Sequence, residues 1–419
     1  MSHSIRCLVA LVFLALAAAL APARAQAQEA QPAKRPQVVL TDAAKKVHGE
    51  SYVFDGHNDL PWEMRTKADS SFSKWDISKP QKSLQTDIPR LAQGGVGAQF
   101  WSVYVPAETA KKGTALSDTL EQIALVKTMI ERYPETFAAC RTVADIERAR
   151  KEGKIASLIG VEGGHSIENS LENLRRLAKL GAGYMTLTHS DTLSWADAAT
   201  DTGEHQGLTP FGEEIVREMN RLNMLVDLSH VSDETMKDAL RVSKAPIIYS
   251  HSSARAIAKH PRNVPDDVLL LVKQNGGVVM VNFFPGFIVP KSADILAKMF
   301  DKRRELRAAF PKEEDYQREY KRWEVQNPYP SGNIQDVVDH IEHIARIAGH
   351  DCVGLGSDFD GITKVPAQLE DVSTYPLITQ ALLDRGWTAE NIHKLMSGNI
   401  LRVMRQAEKV AAELQASGR

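Results

Sequence analysis

Short β-rich runs alternate with helix-period segments along almost the whole chain, and this alternation constrains the fold more than any other feature. Eight runs stand out: Tyr52 to Asp55, Gly97 to Val105, Ile155 to Val161, Tyr184 to Thr188, Met224 to Leu228, Pro246 to Ser250, Gly277 to Asn282 and Val353 to Ser357. Helical periodicity fills most of the gaps, over Leu120 to Arg132, Leu171 to Leu180, Phe211 to Leu222, Asp233 to Val242, Asp266 to Gln274 and Ile334 to Ala348. Pro210 and Pro265 stand just ahead of two of these segments, a position that suits a helix start. Apolar strands separated by helices predict a parallel sheet with helices outside it. Eight such units within roughly 350 residues predict an α/β fold closed into a (β/α)8 barrel.

With 419 residues, 43% of them hydrophobic, the chain can bury the core of one large catalytic domain over 41–419. One stretch breaks the rhythm. Lys291 to Tyr329 is long and highly charged, with Lys302-Arg303-Arg304-Glu305 and Lys312-Glu313-Glu314. It reads as a helical pair inserted after the seventh strand. A solvated surface is the favoured reading of it. A lid is the alternative, because loops after barrel strands face the active site.

The first 25 residues differ from the rest. Arg6 precedes an apolar run from Cys7 to Leu20, and Ala23-Arg24-Ala25 supplies a small-x-small pattern. That is the grammar of a secretory signal peptide cut after Ala25, predicting a secreted or periplasmic protein. A flexible lead-in over 26–40 follows. No later apolar run reaches transmembrane length, and the C-terminus is polar, so no stable membrane insertion is expected. Cys140 and Cys352 remain after cleavage. An exported protein could pair them, but Cys352 lies in a strand-like run, where a buried free thiol is the plainer state. The formal net charge is -2 with no polybasic patch, which argues against a nucleic-acid partner.

Polar residues fall at the ends of the runs. The first ends in Asp55-Gly56-His57-Asn58-Asp59, the third in Glu162-Gly163-Gly164-His165 and the fourth in Thr188-His189. The fifth ends in Asp227-Leu228-Ser229-His230, the sixth in Ser250-His251-Ser252 and the eighth in Ser357-Asp358-Phe359-Asp360. One histidine after a strand is usually a hydrogen-bonded loop residue. Several in register are not, because in a barrel these ends converge on the active-site face. His340 and His343, three apart on a charged helix, read by contrast as a solvated face.

Neutral imidazole with carboxylate suits Zn2+, with Mn2+, Co2+ or Fe2+ as alternatives. Five or six candidate ligands exceed one catalytic zinc site, so a pair of ions sharing a bridging carboxylate fits better. Such a pair activates water and polarises a carbonyl, while a separate Asp serves as general base and proton carrier. G-x-S-x-G, H-E-x-x-H and a phosphate-loop motif are all absent from the sequence.

Together with Arg262-Asn263-Val264-Pro265-Asp266-Asp267 and Gly356-Ser357-Asp358-Phe359-Asp360-Gly361, these motifs resemble the membrane dipeptidase (renal dipeptidase) family of amidohydrolase-like barrels. The resemblance runs from about Val53 to Asn399. It implies a dipeptidase in which His57 and Asp59 bind one zinc ion, His230 and His251 the other, and Glu162 bridges both. It implies further that His189 contacts the substrate and steadies the tetrahedral intermediate, that Asp358 is the acid/base, and that Arg262 clamps the substrate's terminal carboxylate. Asn58 and Asp360 would support the site. Dipeptides, including L,D-dipeptides, are the implied substrates, and a homodimer the implied assembly. Two other readings remain open. One is a barrel hydrolase of lactones, cyclic amides or phosphotriesters. The other is a metal-binding paralogue without activity.

Overall fold

The computed structural model describes residues 36–417. The expected signal peptide and most of the lead-in lie outside them. Nine strands form: β1 (Val53–Asn58), β2 (Val96–Ser102), β3 (Phe137–Ala139), β4 (Ile155–Glu162), β5 (Ala182–Thr186), β6 (Leu225–Asp227), β7 (Ile248–Tyr249), β8 (Val278–Val281) and β9 (Val353–Leu355). Eight of them coincide with the eight runs and close a parallel barrel. Neighbours follow chain order from β4 to β9, β9 pairs with β1 through Leu355 and Asp55, and β2 closes the ring against β4. The ninth, β3, lies alongside the first half of β4, Phe137 opposite Ile155. With three residues it is too short to show a period.

Every residue of the eight barrel strands is buried, as expected of a parallel sheet covered on both faces. Alternate side chains point to opposite faces. Phe54, Ala98, Phe100, Leu158, Tyr184 and Met280 form an inner cluster with Ile400, Val403 and Met404 of the C-terminal helix. Val53, Trp101, Val161, Met185 and Val226 belong to the larger outer cluster beneath the surrounding helices. Local chemistry sets the helix ends. Ser232 caps Asp233–Val242 through Thr235 N, and Asn333 with Asp336 forms a reciprocal cap on Ile334–Ala348. Val38, near the end of the expected lead-in, is already pinned, its N–H donating to Gln368 Oε1 at 2.9 Å.

Two expectations are corrected. His340 and His343 are buried rather than solvated. Their helix is packed on more than one side, so His340 accepts a hydrogen bond from Ala254 N–H at 2.9 Å, while its Nε2 lies 3.1 Å from Ile288 O. The insertion does form a helical pair, Pro290–Ala309 and Glu313–Gln326, but it is not merely a solvated surface. Its charged outer face is wet. Its inner face carries Tyr316, Tyr320 and Trp323, spaced four and three apart, around a small core with Leu306, Met299 and Phe310. The pair roofs the cavity described below.

Cys140 and Cys352 are both buried and unpaired. No helix among the described residues is long and apolar enough to cross a membrane.

Candidate active site

Because the eight strands run parallel, their C-terminal ends meet on one face, and the polar residues after them converge there. Two buried aspartates tie those ends together. Asp55 accepts hydrogen bonds from His57 N–H (3.2 Å), Ser357 N–H (2.9 Å), Ser357 Oγ (2.6 Å) and Tyr375 Oη (2.6 Å). Asp227 does the same for the next group, accepting from Ser229 N–H, Ser250 N–H, Ser250 Oγ and Thr186 Oγ1. Asp55 ties the ends of β1 and β9 together, and Asp227 those of β5, β6 and β7.

Glu162 is the centre of the cluster. Its Oε2 lies 3.4 Å from His57 Nε2. Its Oε1 lies 3.1 Å from His230 Nε2 and 3.5 Å from the Nε2 atoms of His251 and His189. One oxygen thus serves each side. On the first side, His57 Nε2 also lies 3.2 Å from Asp59 Oδ2, and Asp358 joins that group. On the second, the Nε2 atoms of His230 and His251 are 3.0 Å apart.

Charge follows this geometry. Burial alone favours a neutral Glu162 carboxyl, but His57 and the hydrogen bonds from His189 and His230 hold it well below the ordinary range. Burial also favours a neutral His57, but Tyr184, Asp59 and Glu162 raise it well above its usual value. Burial, with Arg262 nearby, holds His230 and His251 well below theirs, so both are neutral. Burial pushes Asp358 well up. Asp59 and Glu162 add to the effect, while His57 and a hydrogen bond from Asn282 oppose it.

The donors fit metal binding. His57 Nε2 is buried without a hydrogen-bond partner. Its Nδ1 lies 2.8 Å from Tyr184 Oη, so Nε2 is the nitrogen turned toward Asp59 and Glu162. Ser250 Oγ donates to Asp227, so it accepts from His251 Nδ1 at 2.8 Å and leaves His251 Nε2 as a lone pair. Two neutral imidazole nitrogens facing each other at 3.0 Å, with a carboxylate oxygen beside them, make a site for a cation. Among the described residues three overlapping groups have metal-binding geometry: His57 with Glu162 and His251, Glu162 with His189 and His230, and His57 with Asp59 and Asp358.

These groups floor a cavity of about 340 Å³ that is also lined by Arg262, Trp62, Tyr104, Phe284, Phe287 and the insertion. Arg262 is only 1% exposed. Its nitrogens reach Ser252 Oγ and His251 O at 3.3 Å, its Nε has no partner, and its plane lies 5.0 Å above Phe287. Burial pulls its pKa down to about 10, so it stays charged near neutrality. A buried guanidinium held only by neutral groups is costly unless an anion joins it. His189 stacks on His230 with centroids 4.2 Å apart and tilts against Tyr104.

Not every predicted residue joins the cluster. His165 faces Val105 O at 2.9 Å instead. Asn58 bridges Thr86 and Leu60, and Asp360 binds the backbone and side chain of Gln85, with burial raising its pKa to about 7. Both brace loops beneath the site. Tyr184, Tyr104 and Asn282 carry no motif that marks them as site residues. Tyr184 depends on Gly160, where a Cβ would come within 2.1 Å of the Tyr184 ring. Gly361 is equally constrained, since a Cβ there would meet Asp59 Oδ2 at 2.1 Å. His230 and Asp358 both adopt left-handed backbone, φ 71° and 67°, a conformation that non-glycine residues keep mainly where the surroundings enforce it.

Comparison with known proteins agrees with this geometry. The family model for membrane dipeptidase (peptidase family M19) matches residues 41–418. The fold resembles the probable dipeptidase PvdM from Pseudomonas aeruginosa, with a TM-score of 0.77, 24% identity, and coverage of 88% of this chain and 98% of that one. It also resembles the dipeptidase AC (TM-score 0.69, 25% identity, 85% and 98% coverage). A third is a metallo peptidase from Rhodobacter sphaeroides liganded with a phosphinate mimic of the dipeptide L-Ala-D-Ala (TM-score 0.69, 24% identity, 85% and 99% coverage).

Proposed function

This chain belongs to the membrane dipeptidase family, and from that premise we propose that it is a two-zinc dipeptidase whose substrates include L,D-dipeptides. The observation that carries the two-ion reading is the division of Glu162: one oxygen toward His57, the other toward His230 and His251. His57 and Asp59 would hold one ion, His230 and His251 the other, and Glu162 both. When bound, such a pair supplies Lewis acidity and lowers the pKa of water toward about 7.

The chain's own groups do the rest. Arg262 receives the terminal carboxylate of the dipeptide, since a guanidinium matches a carboxylate through paired N–H donors. That contact orients the scissile amide over the carboxylates and imidazoles of the floor. His189, on the cavity wall, donates a hydrogen bond to the carbonyl oxygen as charge develops there. Asp358 Oδ2 is held by Asn282 at 2.9 Å, which leaves Oδ1 to carry the proton. It takes one from the attacking water and delivers it to the amine nitrogen as the C–N bond breaks. Burial raises this carboxyl's proton affinity, which favours the first of these transfers.

The inclusion of L,D-dipeptides is supported by the L-Ala-D-Ala mimic in the Rhodobacter sphaeroides protein. The apolar run before Ala25 supports export, which amino-terminal sequencing of the mature protein tests. The function is tested by metal analysis and by assay of zinc-loaded protein on matched L,L and L,D dipeptides. Hydrolysis with two zinc ions per chain is expected. Absence of turnover on every dipeptide sinks the reading.

A further inference from the structure

The roof of the cavity holds a charge that the reaction above does not use. Arg303 sits on the first insertion helix between basic neighbours that are engaged. Lys302 pairs with Glu305, Arg304 with Asp301 and Arg307 with Glu313. Arg303 pairs with no carboxylate among the described residues. Its guanidinium instead lies over the Tyr320 ring, 4.7 Å from the centroid, and both residues line the cavity. Arg303 Nε and Tyr320 Oη are buried without hydrogen-bond partners. Glu324, which lines the same cavity, lies 3.3 Å from Lys321.

Two guanidiniums therefore border one small cavity, Arg262 from the barrel and Arg303 from the insertion. A dipeptide with neutral side chains offers a single carboxylate, which Arg262 takes. We propose that Arg303 is a specificity residue that receives a second carboxylate, the side chain of an aspartyl or glutamyl residue in the substrate. This rests on the dipeptidase reading and narrows it. Stacking on Tyr320 fixes the guanidinium plane, so little freedom is lost when an anion docks. Arg303 is half-buried, so pairing there occurs away from bulk screening, where a charged hydrogen bond discriminates more than at an open surface.

The test compares charged substrates with their neutral isosteres. Zinc-loaded full-length protein is assayed on glutamyl-alanine against glutaminyl-alanine, and on alanyl-glutamate against alanyl-glutamine. The acid is expected to exceed the amide in kcat/KM at one of the two positions by about tenfold, the effect of one charged hydrogen bond. Arg303→Met keeps the apolar stem on Tyr320 and is expected to bring that ratio near one, mainly through KM. Arg303→Lys restores most of it. Equal rates on acid and amide at both positions in the wild type overturn the proposal, whatever the variants do. So does a preference that survives Arg303→Met. Turnover of other L,L or L,D dipeptides but of none of these four overturns this proposal alone, and turnover of no dipeptide at all overturns the dipeptidase reading with it. Hydrolysis of the amides without preference overturns this proposal alone.

Discussion

Tyr184 Oη lies 2.8 Å from Nδ1 of His57, reaching it from inside the barrel through the space left by Gly160. The contact fixes the orientation of the imidazole ring and so holds Nε2 toward Asp59 and Glu162. Tyr184→Phe keeps the ring and its packing on Phe100 but removes this partner. Metal affinity is expected to fall about 10- to 100-fold at the site of His57 and Asp59. Competition with a chromophoric chelator measures it. An affinity within twofold of the wild type shows that Tyr184 is packing only.

Arg262 gives a prediction with two opposed parts. It is a buried charge whose polar contacts are neutral, so Arg262→Met removes a desolvated cation without orphaning a carboxylate partner. The melting temperature should hold or rise. Catalysis should suffer, with kcat/KM on a free dipeptide falling about 100-fold or more, as expected on losing two charged hydrogen bonds. An amidated dipeptide completes the cycle: the wild type should reject it, and the variant should no longer distinguish it from the free acid. Continued discrimination by the variant places the carboxylate elsewhere.

The barrel and the floor of the site were legible because both follow from periodicity. Eight buried runs define eight strands, and a polar residue ending a parallel strand has one face to go to. Glu162 and His251 needed nothing more. The roof was harder to read. Its charges at Lys302, Arg304 and Glu305 mark the outer face of a helix, while the inward stripe of Tyr316, Tyr320 and Trp323 is diluted by charged neighbours. His340 failed for a related reason. Its helix looks amphipathic in isolation, but packing on more than one side buries a histidine that spacing assigns to solvent. Tyr184 was invisible because its role depends on a glycine in a different strand.

Asp358 is held by Asn282 and by its own backbone N–H, which donates to His57 O at 3.2 Å. Asp358→Asn preserves shape but removes the proton carrier. Turnover should fall about 10²- to 10⁴-fold, the usual contribution of a positioned acid/base. Zinc content should stay near that of the wild type, since His57, Asp59 and Glu162 remain. Loss of one ion per chain assigns Asp358 to metal binding instead.

His340 makes stability depend on pH far from the metal cluster. Burial pulls its pKa from 6.5 to about 4, because the fold uses Nδ1 as an acceptor from Ala254 N–H and has no place for a second proton. A depressed folded-state pKa means that the unfolded chain binds the proton first as pH falls. The contribution is complete above 6.5 and is lost as pH drops toward 4. At pH 4.5 the loss is about 2–3 kcal/mol relative to pH 8. His165 and His260, lowered to about 4 and about 3 by burial, add to the same trend. His340→Gln should lower stability at pH 8 yet shrink the difference between pH 8 and pH 4.5 by about that amount. Urea denaturation in the presence of a chelator, which removes metal release as a second cause, reads both values. An unchanged pH difference in the variant shows that His340 does not titrate with folding.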